Sequence, residues 1–263
     1  MARVVSALLL IPLVLGVVWF LPPAATLALA TVAAVLACGE YLTIARTLGI
    51  ELPRLLTTIA VVAACVSVGD GRMPFEIVML VALVGVGTIA VSAGNPGPGV
   101  LPRVAAALFA PVYLGVPLGA IAAISTMGGR EAVLLLMATI VVSDSAQYYT
   151  GRAFGRVPLA PAISPKKTRE GAMGGVVFGS LAFVVGANFV FPAASMLALI
   201  VTAFVVVLAG IIGDLFESLL KRSAGVKDSS ALIPGHGGIL DRIDSWLFAG
   251  PVYYFFVRYL QAS

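Results

Sequence analysis

Apolar runs of 14 to 22 residues follow one another along the chain, at positions 4–20, 24–45, 55–68, 74–93, 104–125, 131–149, 171–191, 193–213 and 246–260. An α-helix rises about 1.5 Å per residue, so a run near 20 residues matches the ~30 Å hydrocarbon layer of a bilayer. Nine membrane-spanning helices are therefore expected, the run at 55–68 being the shortest. The breaks between runs carry helix stoppers: Leu21-Pro22-Pro23, Gly94-Asn95-Pro96-Gly97-Pro98-Gly99, Gly128-Gly129 and Phe191-Pro192. The first run has the positive start of a signal peptide. Its 17-residue core leads straight into a second span, however, so an uncleaved first helix is expected.

Composition sharpens this picture. Of 263 residues, 60% are hydrophobic and only 11% charged, whereas a soluble domain carries roughly a quarter charged residues. The expected fold class is all-α, a polytopic integral membrane helical bundle, with an N-terminal helical scaffold over 1–130 and a catalytic region with charged loops over 131–263. This pattern excludes a secreted disulfide scaffold, a disordered tail, a Rossmann enzyme and a DNA-binding module. The net charge of +4 belongs to loops, and no nucleic-acid partner is expected. Cys38 and Cys65 sit inside apolar runs and build neither a disulfide framework nor a zinc site.

The charges that remain are unevenly placed. Alternating the nine spans puts 13 of the 16 Lys and Arg on the side of the N-terminus, leaving Arg72, Arg130 and Arg258 opposite. By the positive-inside rule the N-terminus and the charged loops face the cytoplasm, and a bacterial inner membrane is the expected location. Sixteen of the 28 charged residues fall in two segments, 144–170 and 214–244.

In the first segment Asp144, Gln147, Tyr148 and Gly151 share one face if the sixth span continues as a helix. An acid directly after an apolar run faces either a water-filled cavity or a cation, here Arg152. Arg152, Arg156, Lys166, Lys167 and Arg169 are mixed with Gly151, Gly155, Gly171, Gly174 and Gly175, a combination suited to holding an anion. Topology or contact with anionic lipid headgroups would also account for the basic residues.

The second segment is denser. Continuing the eighth span puts Asp214, Glu217, Ser218 and Lys221 on one stripe, and Asp241 and Asp244 share a face at the start of the last helix. Carboxylates without a Cys or His cluster favour Mg²⁺ over zinc. Carboxylates surrounded by cations suit a nucleoside triphosphate, although structural ion pairs such as Asp214 with Lys221 would use the same residues. His236, the single histidine, lies in Pro-Gly-His-Gly-Gly, where phosphate contact or loop positioning is expected ahead of proton transfer.

At these residues the chain resembles the CTP:phosphatidate cytidylyltransferase (CDP-diacylglycerol synthase) family. The family's pattern S-x-x-K-R-x4-K-D followed by H-G-G-x-x-D-R-x-D is matched by Ser218, Lys221, Arg222, Lys227, Asp228, His236, Gly237, Gly238, Asp241, Arg242 and Asp244. Upstream, Asp144, Tyr148, Gly151, Arg152, Gly155, Ser164, Pro165, Lys167, Thr168 and Gly171 are similar to its first characteristic stretch, while Gln147 stands where relatives often carry Ala. The resemblance implies a Mg²⁺-dependent reaction of CTP with phosphatidate, two partners besides the membrane lipids, and leaves room for a second cation and a homodimer. It implies Asp214 and Asp241 as metal ligands, with Asp144 a weaker third acid. Lys167, Lys221, Arg222, Lys227 and Arg242 would hold phosphates, with Gly151, Arg152, Gly237 and Gly238 at the nucleotide and Ser218, Asp228, His236 and Asp244 in the same machinery. Two alternatives stand beside it: a CTP-dependent kinase or cytidylyltransferase of an isoprenoid lipid, and an ion-coupled transporter.

Overall fold

Proline and glycine decide where the helices begin and end. The computed structural model describes residues 2–233, 235 and 237–262, with the backbone alone for residues 2–7 and 262. Helix α1 covers Ala2–Phe20 and α2 covers Pro23–Thr47, with Pro23 at the first helical position, where its missing N–H costs nothing. Pro53 directly precedes α3 (Arg54–Asp70), which stops at Gly71 in the left-handed region (φ 70°), and Pro74 directly precedes α4 (Phe75–Ser92). Helix α5 (Val100–Ala110), a π-helical turn (Pro111–Gly115) and α6 (Val116–Met127) run on as one rod. There follow α7 (Gly129–Phe154), α8 (Arg169–Val190), α9 (Met196–Ser223) and α10 (Leu240–Ala262).

Nine helical rods among the described residues thus match the nine apolar runs. Six are long and apolar enough to cross a membrane: α2, α4, the α5–α6 rod, α7, α8 and α9. Of the other three, α3 has 17 residues, α1 is apolar over Leu8–Phe20, and α10 becomes apolar only after the charges of its first turn. On α4 the side chains of Leu80, Val81 and Val84 are exposed. An apolar helix with an apolar outer face is suited to lipid, since only a helix satisfies its own backbone there.

One element was not expected in an all-helical chain. Between α7 and α8, β1 (Pro158–Ala160) and β2 (Ser164–Thr168) pair antiparallel as a small hairpin. Thr168 then caps α8 by accepting a hydrogen bond from Gly171 N at 3.1 Å. Glu170 Oε2 accepts from the backbone N–H of Arg156 (3.0 Å) and Val157 (3.3 Å), which ties the end of α7 to the start of α8.

The chain forms two compact units. The first comprises Met1–Ala123 with Leu220–Ile243, the second Ile124–Leu219 with Asp244–Ser263. In the first, α3 packs against α2 and the π turn. A Cβ on Gly115 would lie 2.5 Å from Val61 O, and one on Gly119 2.4 Å from Cys65 O, so glycine lets the helix backbones touch. Cys38 and Cys65 are buried here as free thiols. In the second unit α7 and α8 make the most extensive contact. Gly171, Gly175 and Gly179, one turn apart on α8, lie against Gln147 and Ser143 of α7.

Candidate active site

Each unit gathers its own group of charged side chains. In the second unit, α7 runs without a break through the polar stretch that ends the sixth apolar run, so Asp144, Gln147, Tyr148 and Gly151 do fall along one helix. Gln147 Nε2 donates to Asp144 Oδ1 at 3.0 Å. From β2, Lys167 forms an ion pair with Asp214 of α9, and both side chains keep 24% of their surface exposed. Asp244, on the first turns of α10, lies within electrostatic reach of Asp214, Asp144 and Lys167.

Gly213 explains how two helices bring these acids together. A Cβ there would sit 2.6 Å from Asp244 O, so glycine allows α9 and α10 to approach beside Asp214. The arrangement is three carboxylates sharing one lysine, accessible from outside the protein. Arg152 is not the counterion of Asp144: its guanidinium donates to Tyr148 Oη at 3.3 Å, one turn back on the exposed side of α7.

In the first unit, Lys221 is buried and donates to Asp241 Oδ1. Asp241 Oδ2 accepts from Gly238 N (2.7 Å), Ser229 N (2.9 Å) and Ser229 Oγ (2.8 Å). Burial pushes the Asp241 carboxyl up, but the bonds from Lys221, Gly238 and Ser229 outweigh it and hold the group below the ordinary carboxylate range. Gly237 has φ +81°, and a Cβ there would stand 2.5 Å from Asp241 Oδ2. Each acid thus has its own lysine, Lys167 for Asp214 and Lys221 for Asp241, rather than the Asp214–Lys221 pairing that a purely structural reading of the stripe would use.

Glu40, which sequence reasoning passed over, completes this group. It sits on α2, 5% exposed, and accepts from Ser229 Oγ (2.9 Å), Ser230 Oγ (2.6 Å), Ile239 N (2.9 Å) and Leu240 N (2.7 Å). One signal was present: an acid inside the apolar run 24–45. Ser229 and Ser230 carried none, because serines in a loop are ordinary.

The remaining expected residues divide by exposure. Arg222, Lys227, Asp228 and Arg242 are exposed, Ser218 is half-buried, and Arg222 Nη1 donates to Val226 O at 3.2 Å. Gly151 packs against Thr168, a Cβ there lying 3.0 Å from its Oγ1. Gly171, Gly174 and Gly175 likewise face α7 closely, so helix packing is a steric reason for glycines that the sequence suggested for anion contact. His236 lies outside the described residues.

Among the described residues, no three His, Cys, Asp or Glu side chains converge closely enough to cage a metal ion. The donor set nevertheless fits Mg²⁺, which keeps several waters and is commonly held by one or two carboxylates together with substrate phosphates. Both groups combine carboxylate oxygens with lysine, as sites that handle polyphosphates do.

Together these features define a helical integral membrane protein that carries two groups of charged side chains, one in each unit. Comparison places it more narrowly: residues 1–260 match the Cytidylyltransferase family, and the chain belongs to that family. It is 43% identical over 132 residues to an uncharacterised protein of Escherichia coli, YnbB, covering 50% of this chain and 44% of that one. To the phosphatidate cytidylyltransferase of Haemophilus influenzae it is 46% identical over 133 residues (47% of this chain, 46% of that one). Phosphatidate cytidylyltransferase 5, chloroplastic, of Arabidopsis thaliana is 46% identical over 131 residues, 49% of this chain and 32% of that one. The matched part thus spans a third to a half of the length of these relatives.

Proposed function

We propose that the protein is a phosphatidate cytidylyltransferase, joining CTP and phosphatidate to give CDP-diacylglycerol and pyrophosphate. The observation that supports this most directly is the pairing of lysine with carboxylate in each unit, Lys167 with Asp214 and Lys221 with Asp241, three of these four residues (Lys167, Lys221 and Asp241) being ones that carry the family pattern. In the reaction a phosphate oxygen of phosphatidate attacks the α-phosphorus of CTP. The bond from that phosphorus to the oxygen bridging to the β-phosphate breaks, and pyrophosphate leaves.

The nucleophile is already an anion, so no strong base is required. What the chain must supply is orientation and charge neutralisation. Lys167, Lys221, Arg222, Lys227 and Arg242 are assigned to the phosphates, with Arg152, Gly151, Gly237 and Gly238 at the nucleotide. Asp214 and Asp241 are assigned as oxygen donors to Mg²⁺, with Asp144 and Asp244 as neighbouring acids; when bound, the ion supplies positive charge to the phosphate oxygens. Gln147 holds Asp144, and Ser229 and Gly238 hold Asp241, so both acids are oriented by bonds already made.

The charged loops are assigned to the cytoplasmic side of a bacterial inner membrane, where CTP is present. The test is to incubate the purified protein with CTP, Mg²⁺ and phosphatidate in detergent and to identify the products. CDP-diacylglycerol with equimolar pyrophosphate supports the reading. Release of CDP instead would show a kinase, and absence of turnover over a range of metals and lipids would overturn the proposal.

A further inference from the structure

The carboxylate of Glu40 is buried in α2 and contacts no charged side chain in the bonds described. All four of its bonds come from the segment that precedes α10 and from the first turn of α10. Two donors are hydroxyls, of Ser229 and Ser230. The other two, Ile239 N and Leu240 N, are backbone amides at the N-terminus of α10, which have no partner inside the helix. A carboxylate complements both their hydrogen-bonding need and the positive end of the helix dipole. Four donors reach the carboxylate, the Ser229 hydroxyl being shared with Asp241, so at least three bonds are made at any time, none of them from a charged side chain.

We infer that Glu40 is a positioning residue that holds the Ser229–Ser230 turn and the start of α10, and through them Asp241, in the binding-competent arrangement. The path is short. Ser229 Oγ is 2.9 Å from Glu40 Oε2 and 2.8 Å from Asp241 Oδ2, and its one proton serves one of the two carboxylates at a time. Gly238 lies in the same clasp, because a Cβ on it would stand 2.1 Å from Ser229 Oγ and 2.3 and 2.4 Å from the oxygens of Glu40. The second glycine of His-Gly-Gly is thus required sterically by an acid some 200 residues away, whatever it does for a ligand.

This inference rests on the proposed function for its kinetic arm, and its structural arm is independent of it. In Glu40→Gln the amide nitrogen must face Ile239 N or Leu240 N. The serine hydroxyls can rotate to accept, but a backbone N–H cannot, so one donor loses its partner. The segment then spends less time in the competent arrangement, and the apparent affinity for its ligand falls by that fraction.

The experiment measures kcat and the KM for CTP per folded molecule in wild type, Glu40→Gln and Glu40→Ala. Amide exchange over residues 229–242 is followed in the same detergent preparations. The expected result is a KM for CTP raised at least fivefold in Glu40→Gln with kcat within about twofold, and exchange over 229–242 raised at least tenfold while α7 and α8 stay unchanged. A lower kcat per folded molecule at unchanged KM overturns the positioning role. So does unchanged exchange over 229–242. If wild type turns over no CTP, the proposed function fails, and the exchange measurement alone decides whether Glu40 holds the segment.

Discussion

Lys167 on β2 and Asp214 on α9 form an ion pair across 47 residues of chain, at positions that are both partly open to solvent. A pair so placed adds little to stability, on the order of 1 kcal/mol or less. Its worth lies in the charge it presents. Lys167→Met is expected to leave thermal stability within a few degrees of wild type while lowering kcat/KM about 100-fold or more, the scale for removing one charge-stabilising group. The double variant with Asp214→Asn should be no worse than the poorer single one, because the two act on one charge centre. Initial-rate measurements on the four proteins check this, and additive losses would separate the residues.

Mg²⁺ dependence tests the two acids individually. Asp214→Asn and Asp241→Asn are each expected to raise the Mg²⁺ concentration for half-maximal turnover at least tenfold, since an amide oxygen is a weaker ligand for a hard cation than a carboxylate. Asp228→Asn, exposed and outside both ion pairs, should shift it less than twofold. A normal Mg²⁺ titration in either Asp214→Asn or Asp241→Asn removes that residue from the metal assignment.

Acid should not loosen the Ser229–Leu240 segment until the pH is low. Hydrogen bonds hold the Asp241 carboxyl below its ordinary range, so it binds a proton less readily folded than unfolded. Stability from this group is full above the unfolded value of about 3.9 and is lost only as pH falls through the lower folded value. Amide exchange of the segment, corrected for intrinsic rates, is therefore expected to be flat from pH 8 to 5. Loosening already at pH 6 would show that another group controls it.

Glycine positions give a test of packing independent of activity. A Cβ at Gly119 meets the backbone of α3, with Cys65 O at 2.4 Å, whereas at Gly87 nothing lies within 4 Å. Gly119→Ala is expected to destabilise by about 1–3 kcal/mol. Gly87→Ala should be neutral or slightly stabilising, since alanine is the better helix former. Thermal unfolding in detergent distinguishes them, and equal melting temperatures would contradict the close crossing of α3 and the α5–α6 rod.

What could be read from the chain alone is what depends on neighbours within a few turns. The nine apolar runs became nine helical rods among the described residues, because apolar length and proline or glycine stops are local properties. The Asp214–Lys221 stripe and the Asp241–Asp244 face followed from 3.6 residues per turn, since α9 and α10 do extend through them. The acids of the two charged segments were visible for a related reason: charge is rare in this chain and conspicuous where it occurs.

Partner choice could not be read in this way. That Lys221 takes Asp241 and leaves Asp214 to Lys167, that Leu220–Ile243 groups with Met1–Ala123, and that a short hairpin carries Lys167 all depend on how distant elements pack. Glu40 is the clearest case. From the chain it is one acid in an apolar run; folded, it meets four hydrogen-bond donors on residues some 190 to 200 positions away. Periodicity assigns a residue to a face of its own helix, but only tertiary packing sets what that face meets, and a buried carboxylate persists only where enough donors meet it.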